Sequence, residues 1–339
     1  MSIKNRKKDH VEVCLNDDVN YQQDNGLQNY QFIHNALPEV NFDEVTTEAE
    51  MLGRSFTFPL FISSMTGGYS EAGSINAQIA EFCENNNLPF GVGSQRAMLE
   101  HPEERDSFGV VREKAPTAFI AANIGGAQLI GGLEDDHLRL MIETIRADAV
   151  IVHLNPLQEL VQPEGDRDFS GIEQGIRKLV VDSDLPVIVK ETGAGINSEV
   201  ARRLLAVGVQ VIDVAGAGGT SWAKVENKRR VNTKLFEPFD NWGLQTAECI
   251  REINELRGEY RFELIASGGV YSAHDMVKSI CLGADFTANA RPVIQALSDG
   301  GLEKLQQLFD NWRYQTRMIL TLLGCKNLKQ CNQKHLLKK

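Results

Sequence analysis

The 339-residue sequence lacks long apolar runs, paired cysteine motifs and any excess of positive charge. No apolar run approaches the ~18–20 residues that span a bilayer, so no membrane partner is expected. The net charge of −11 argues against a nucleic-acid partner, because phosphate-binding surfaces usually make a domain basic. The six cysteines show no C-x-x-C spacing, which gives no sign of a zinc cluster or a disulfide framework and fits a reducing, cytoplasmic location.

The common nucleotide and hydrolase motifs are absent as well. No G-x-G-x-x-G follows a predicted strand and no Gly-Lys dipeptide exists, so neither a Rossmann nor a Walker A phosphate loop is present. The sequence contains neither G-x-S-x-G nor H-E-x-x-H, which removes the usual serine hydrolase and zinc protease signatures. None of the cysteines follows a predicted strand, and this disfavours a thiolate nucleophile at a strand-end site.

The sequence does contain eight short, nearly continuous apolar runs, most of them separated by helix-like stretches. Such runs are typical of parallel strands buried on both faces. Eight of them match a (β/α)₈ TIM barrel, an α/β fold, better than a doubly wound sheet. The predicted strands are 60–63, 89–92, 118–122, 149–154, 186–189, 209–214, 262–266 and 284–288.

The whole chain divides into three parts. We predict an N-terminal arm and lead-in segment at 1–55, a barrel with a C-terminal helical extension at 56–325, and a basic C-terminal tail at 326–339. The tail has five lysines and no acidic residue, so we expect it to be frayed. The stretch 219–242 is longer than usual βα loops, which favours a lid or a subunit contact. Its basic residues also fit a solvated charge run, and they are Lys224, Lys228, Arg229 and Arg230.

Small or polar residues follow each predicted strand, at the barrel end where active sites form. Gly268 and Gly269 precede a helix and Arg291 follows the eighth strand, a combination of N–H donors and a cation that suits a phosphate. Lys190 closes the fifth strand with a lone positive charge. It either snorkels to the rim or stabilises an anion there.

The densest polar group is 153–159, at the exit of the fourth strand. Asn155 and Gln158 fit a helix cap, but a cap leaves His153 unexplained, because a titratable ring in an apolar strand needs a partner. Glu159 is either an exposed helix-start residue or a ligand that holds Mg²⁺ together with substrate phosphate and water.

These residues occur in an ordered set of motifs that covers nearly the whole chain. The motifs are at 6–10, 64–68, 93–96, 122–125, 153–159, 189–191, 218–222 and 267–270. In this set the sequence closely resembles the type 2 isopentenyl-diphosphate isomerases, a family of flavin-dependent barrel enzymes. The resemblance implies FMN contacts at Ser64, Met65, Thr66, Ser94, Asn123, Lys190, Thr220, Gly268, Gly269, Ala290 and Arg291. It implies a substrate site formed by Arg6, Lys7, His10, Ser94, Arg96, His153, Asn155 and Gln158, with Mg²⁺ on Glu159.

The resemblance also implies a reaction, its cofactors and the residues that support it. Isopentenyl and dimethylallyl diphosphate would be interconverted by allylic proton transfer in isoprenoid biosynthesis, with reduced FMN as acid and base and NADPH only as its reductant. His153 and Gln158 would support catalysis by orienting the substrate or relaying protons. A homotetramer or homo-octamer is expected.

Two other functions stay open at this stage. One is an FMN-dependent TIM-barrel oxidoreductase that acts on a 2-hydroxy acid, although no His-Gly-Gly-Val follows the seventh strand. The other is a flavin- or diphosphate-binding module without turnover.

Overall fold

Eight parallel strands close into a barrel. The computed structural model describes residues 3–230 and 234–339; for residues 3–8 and residue 70 it describes the backbone alone. The strands that precede the barrel are β1 (Tyr30–Phe32), β2 (Ala49–Met51) and β3 (Arg54–Phe56). The barrel strands are β4 (Leu60–Ile62), β5 (Phe90–Gly91), β6 (Ile120–Gly125), β7 (Ala149–Leu154), β8 (Val187–Glu191), β9 (Val211–Asp213), β10 (Glu263–Ala266) and β11 (Phe286–Asn289). Each of the eight lies within or overlaps a predicted strand, so the predicted TIM barrel is confirmed.

Helices connect the barrel strands and extend the chain at both ends. They are α1 (Ile3–Asn16), α2 (Ser70–Asn86), α3 (Arg96–Glu100), α4 (Asp106–Lys114), α5 (Asp135–Ile145), α6 (Pro156–Val161), α7 (Ile172–Asp182), α8 (Ser198–Ala206), α9 (Trp222–Lys228), α10 (Thr246–Asn254), α11 (Ala273–Leu282) and α12 (Arg291–Leu323). Local sequence sets several of these boundaries. For example, α11 begins at a capping box in which Ser272 and Asp275 satisfy each other's backbone N–H groups. None of the helices in the described part of the chain combines the length and apolar character needed to cross a bilayer.

Parallel pairing places three polar residues side by side on neighbouring strands. His153 of β7 pairs in register with Lys190 of β8, and Lys190 pairs with Asp213 of β9. All three lie near the carboxyl ends of their strands, so the barrel brings to one level residues that are separated by 60 positions in sequence.

The opposite end of the barrel is closed by the β2–β3 hairpin. Phe56 lies edge-to-face with Phe119 and Phe286 at centroid distances of 6.1 and 5.6 Å. Met51 and Phe56 belong to the same apolar cluster as inward residues of the barrel strands. Glu263 fixes the hairpin turn by accepting hydrogen bonds from the backbone N–H of Leu52 at 2.8 and 3.0 Å. The barrel base is therefore filled, and the strands' carboxyl ends are left to form a site.

The prediction of a frayed C-terminal tail is wrong. A twelfth strand, β12 (Leu336–Lys338), pairs antiparallel with β1, and Leu328 is buried in a cluster beside α11 and the end of α12. Leu328 and Leu336 of this tail share that cluster with Val45 of the N-terminal segment, while the lysines of the tail are exposed. Charge composition alone gave no sign of that long-range pairing, which depends on a strand 300 residues earlier.

Candidate active site

A cavity of about 270 Å³ lies at the carboxyl ends of the barrel strands. Every barrel strand contributes to it through its last residues or the loop that follows, so the strand-end loops share one rim, as the sequence predicts. The predicted site residues that line it are His10, Ser64, Met65, Ser94, Arg96, Asn123, His153, Asn155, Gln158, Glu159, Lys190, Thr220, Gly268, Gly269, Ala290 and Arg291.

Three predicted site residues are not among those that line the cavity. Thr66 is buried behind the rim, where its hydroxyl donates to Asn76 Oδ1 at 2.6 Å. Its side chain is therefore already satisfied by the protein. Arg6 and Lys7 lie on α1, and their side chains fall outside the described residues.

One end of the cavity is formed mainly by backbone. Gly268 and Gly269 have φ angles of 96° and 72°, which favour glycine, and a side chain at either position would collide with the backbone oxygen of Gly216 or Gly218. The start of α12, at Arg291, also lines the cavity, and within the described chain no side chain caps this helix. The backbone N–H groups of this glycine turn and of Arg291, the first residue of the helix, favour an anion such as a phosphate.

The adjoining wall combines tight backbone packing with one buried hydroxyl. Gly93 lies so close to the backbone of Thr66 that any side chain there would collide with it. Ser64 Oγ is buried and has no hydrogen-bond partner among the described residues. Gly93 is therefore required for packing against Thr66, and the unpartnered hydroxyl of Ser64 fits a ligand that carries hydrogen-bonding atoms.

His153 is held in one orientation by Asn123. The amide nitrogen of Asn123 donates to the backbone oxygen of Val92 at 3.0 Å, which turns its Oδ1 toward His153 Nδ1 at 2.8 Å. His153 Nδ1 therefore carries a proton, and this hydrogen bond fixes the ring at the cavity wall. The structure thus supplies the partner that a histidine in an apolar strand requires.

Lys190 places a positive charge in the same wall. Its side chain is buried, and Nζ donates to the backbone oxygen of Glu191 at 2.6 Å. Burial raises the pKa of the neighbouring Asp213, and the charge of Lys190 offsets part of this effect. Burial likewise raises the pKa of Glu191 to about 7, although several backbone N–H groups donate to its carboxylate. The lysine therefore lies near two buried acidic side chains, and its Nζ is held by the backbone oxygen of Glu191.

The first turn of α6 presents three polar side chains that contact one another. Asn155 Nδ2 donates to Gln158 Oε1 at 3.2 Å and to Glu159 Oε1 at 2.9 Å. Glu159 Oε2 accepts a hydrogen bond from the backbone N–H of Asp166 at 2.8 Å. Asn155 does not cap α6 with its side chain, so the capping explanation of this motif is wrong. Its amide instead orients the glutamine and the glutamate at the cavity.

Glu226 is a site-related residue that the sequence analysis missed. It is fully buried on α9, where Gln158 Nε2 donates to its Oε1 at 3.1 Å and His10 Nε2 lies 2.8 Å from the same oxygen. Burial opposes ionisation, but His10, Gln158 and Arg229 together hold the pKa of this carboxyl below its usual value. Nothing in the local sequence of α9 marks Glu226, because its partners His10 and Gln158 come from two distant parts of the chain.

Replacing Glu226 by glutamine is expected to destabilise the holoenzyme in a pH-dependent way. The lowered pKa means that the ionised form adds stability above the unfolded value of 4.5 and that this stability is lost as pH falls through the folded pKa. We expect Glu226→Gln to lower the free energy of unfolding by about 1–3 kcal/mol at pH 7 and by less at pH 4. Urea unfolding at both pH values measures this. Glu255→Gln, at an exposed position of a surface pair, is the matched control, and an equal loss at both pH values would assign the effect to packing.

The cavity contains a thiol, although none of the described lining residues that follow a barrel strand is a cysteine. Cys14 reaches the cavity from α1 rather than from the rim. Burial raises the pKa of Cys14 to about 11, with the charge of Arg291 opposing this. The thiol therefore stays protonated at neutral pH and is a poor nucleophile.

The basic residues after β9 bind the N-terminal arm and neighbouring loops of the same chain. Lys224 Nζ donates to the backbone oxygen of Asn20 at 2.5 Å, and Lys228 Nζ lies 3.5 Å from Asp17 Oδ1. Arg230 Nε donates to the backbone oxygen of Val161 at 2.5 Å. These contacts contradict a solvated charge run and support a lid, because α9 and α1 lie together over the cavity.

The two ends of the cavity have complementary chemistry. Glycine backbone and a helix start favour an anionic group at one end, and His10, Arg96, His153 and Gln158 present donors at the other. Lys190 lies in the wall, and Glu159 is the carboxylate that lines the same space. Such a site can hold an anionic ligand, exclude water beneath a helix and move a proton, and it contains no activated nucleophile.

Comparison with known proteins first defines the class of the chain. The profile of the family described as FMN-dependent dehydrogenase matches residues 155–338, and the chain belongs to this family. A sulfite-bound flavocytochrome b2 variant has the same fold, with a TM-score of 0.70 at 18% identity, covering 98% of this chain and 83% of that one. A mandelate oxidase variant gives a TM-score of 0.63 at 17% identity, covering 98% and 92%.

Closer relatives define the particular family. The chain is 48% identical to the isopentenyl-diphosphate delta-isomerase of Chlorobium luteolum, over 96% of this chain and 94% of the relative. It is 43% identical to the enzyme of the same name from Nostoc, over 90% and 88%. The chain therefore belongs to the isopentenyl-diphosphate delta-isomerase family, which the sequence motifs predict.

Proposed function

We propose that this protein interconverts isopentenyl and dimethylallyl diphosphate with FMN as its cofactor. The observation that carries the proposal is one roofed cavity that combines an anion-binding backbone end, a buried lysine and an oriented histidine–amide–carboxylate group. The reaction adds a proton to the terminal alkene carbon and removes one from the carbon next to the diphosphate-bearing methylene. The charge that develops is a tertiary cation, so water and nucleophiles must be kept away from it.

FMN fits the wall formed by Ser64, Gly93, Lys190, Gly268 and Gly269. The glycine turn and the start of α12 would hold its phosphate, and Lys190 would lie against the ring, where a cation stabilises the anionic reduced form. When bound and reduced, FMN would supply a nitrogen of suitable basicity to give and recover a proton. NADPH is proposed only as the reductant that prepares it.

The protein's own residues would position the substrate and maintain the proton balance. His153, whose Nδ1 is held by Asn123, would present Nε2 toward the diphosphate or the allylic part of the substrate and would donate from it as the imidazolium. Gln158 would orient the substrate while its amide is fixed by Glu226 and Asn155. Arg96, which is fixed by Glu100 at 2.7 Å, would neutralise diphosphate charge. These contacts keep the diphosphate from leaving while the cationic centre exists.

Glu159 would supply the single protein carboxylate for Mg²⁺. Among the described residues, no group of three histidine, cysteine, aspartate or glutamate side chains could hold a metal by itself. A hard cation at Glu159 would therefore be completed by diphosphate oxygens and waters, which is the usual mode for Mg²⁺. The carboxylate is oriented for this by Asn155 and the backbone of Asp166.

Glu159→Gln is expected to raise the Mg²⁺ concentration for half-maximal activity by roughly tenfold, because a neutral amide is a weaker ligand for a hard cation. The measurement is a magnesium titration of initial rate at saturating substrate. Glu199→Gln, also a glutamate in a first helical turn but exposed and outside the cavity, is the matched control. An unchanged magnesium titration would mean that Glu159 has only a structural role.

The cellular setting is proposed on separate observations. The six cysteines are free thiols in the structure, which supports a reducing cytoplasm. Leu235, Phe239 and Trp242 are exposed after β9, and this apolar group supports assembly of several copies into a homotetramer or homo-octamer. Light scattering of the purified holoenzyme tests the assembly.

The function is tested with reduced holoenzyme, Mg²⁺ and isopentenyl diphosphate in D₂O, followed by NMR. Appearance of dimethylallyl diphosphate with deuterium incorporation supports the proposal. Unchanged isopentenyl diphosphate, together with stoichiometric oxidation of a 2-hydroxy acid by the oxidised holoenzyme in a parallel assay, would replace it by the oxidoreductase alternative. Binding of FMN with neither activity would leave a non-catalytic flavoprotein.

A further inference from the structure

Helix α1 forms the roof of the cavity. One face of the helix lines it, through His10, Val11, Cys14 and Leu15. The His10 ring lies edge-to-face with Trp222 of α9, at a centroid distance of 5.2 Å. The position of α1 therefore determines where His10 meets both Glu226 and whatever occupies the cavity.

The end of α1 is held by Arg291, the first residue of α12. Arg291 Nη1 donates to Asn20 Oδ1 at 2.6 Å, and Nη2 donates to the backbone oxygen of Asp17 at 3.3 Å. Asp17 directly follows the last residue of α1, so the guanidinium lies where unpaired helix carbonyls favour a positive charge. A residue at the cofactor end of the cavity is thus joined to the segment that covers the substrate end.

The side chain of Arg291 has its terminal donors directed at the arm. Both terminal nitrogens are used there, and Nε is buried without a hydrogen-bond partner among the described residues. The neighbouring anion site, by contrast, is made of backbone, at Gly268, Gly269 and the N–H of Arg291 at the helix start. The backbone of Arg291 therefore lies at the anion site, while its side chain binds the N-terminal arm.

We propose that the Arg291 side chain is a positioning residue for the diphosphate substrate. It holds α1 over the cavity and so places His10, rather than binding the FMN phosphate with its guanidinium. This inference rests on the proposed function. It concerns the substrate side of the site, although Arg291 stands at the cofactor side.

The test uses FMN-loaded holoenzyme carrying Arg291→Ala, Arg291→Lys, Asn20→Ala or both Arg291→Ala and Asn20→Ala. We expect Arg291→Ala to raise the KM for isopentenyl diphosphate roughly tenfold, the effect of losing charge-assisted hydrogen bonds, with kcat changed less than about threefold. The FMN Kd, from flavin fluorescence, should change less than about threefold, while amide hydrogen exchange in the α1 region becomes faster. Arg291→Lys, which keeps the charge but not the two-pronged contact, should be intermediate.

The double variant provides an internal check, because Arg291 and Asn20 act through one shared bond. Their effects on KM should be less than additive. Arg251→Ala, which removes an arginine from a surface pair on α10, is the matched control and should change none of these readouts.

Three outcomes would overturn the inference. An FMN Kd raised more than about tenfold, with exchange in α1 unchanged, would make Arg291 a direct phosphate ligand. Unchanged KM and unchanged exchange in Arg291→Ala would mean that the contact positions nothing. Fully additive effects of the Arg291 and Asn20 substitutions would show that the two residues do not act through a shared bond.

A different result would refute the proposed function rather than this inference. That result is a wild-type enzyme that binds FMN but leaves isopentenyl diphosphate unchanged, and hydrogen exchange would still report on the contact between Arg291 and the end of α1.

Discussion

Lys190→Met is expected to lower the isomerisation rate by about 10²–10³, the usual effect of removing one preorganised charge from a reacting site, and to weaken FMN retention. The lysine is the buried cation of the cavity wall, and the substitution also leaves Asp213 without the charge that offsets its burial. The reduction potential of residual flavin should fall, because the anionic reduced form loses its counter-charge.

Two measurements distinguish this effect from simple misfolding. The ratio of absorbance at flavin and protein wavelengths gives FMN content, and anaerobic titration with a reference dye gives the potential. Lys178→Met, an exposed lysine paired only with Asp182 on the helix surface, is the matched control. Wild-type flavin content and rate in Lys190→Met would remove this lysine from the site.

Gln158→Ala is expected to lower kcat by about 10²–10³ with FMN content unchanged, a loss typical of groups that support proton transfer. Gln158 is held on both sides, by Glu226 through its Nε2 and by Asn155 through its Oε1. Loss of the amide leaves the buried Glu226 carboxylate with one donor fewer and leaves the substrate without an oriented amide.

A second variant, Gln158→Glu, tests the same role of the amide through the pH dependence of kcat. A carboxylate in this position would lie next to the Glu226 carboxylate, and two such groups share a proton because both cannot ionise at close range. We therefore expect low activity at pH 8 with partial recovery toward pH 6, measured as a pH profile of kcat. Gln174→Ala, an exposed glutamine on α7, is the control. Wild-type kcat in Gln158→Ala would assign the amide to structure alone.

The barrel was predictable because its strands carry a local signal. Runs such as 149–154 are nearly continuous in apolar residues, and eight such runs separated by helix-like stretches are typical of a parallel sheet covered by helices. The rim was predictable for the same reason, since strand direction fixes which residues end together. Lys190 and His153 stood out as charged or titratable groups in otherwise apolar strands.

The roof and the C-terminal strand were not predictable, because neither has a local signal. Glu226 looks like any helical glutamate, and its partners His10 and Gln158 lie far away in sequence. Cys14 is separated by 49 or more residues from every rim residue of the barrel, yet α1 brings it into the cavity. These contacts form where the N-terminal arm packs across the barrel, and contacts between such distant segments leave no periodic pattern in the sequence.

The hairpin that fills the barrel base has a consequence for redesign. Phe56 and its aromatic neighbours pack at the amino-terminal end of the barrel strands, while the polar groups that select a ligand lie at the carboxyl-terminal end. Residues responsible for folding and residues responsible for chemistry are thus largely separate sets, joined through the strands. Directed evolution toward other prenyl-like esters can therefore randomise the upper loops while the lower layer preserves the scaffold.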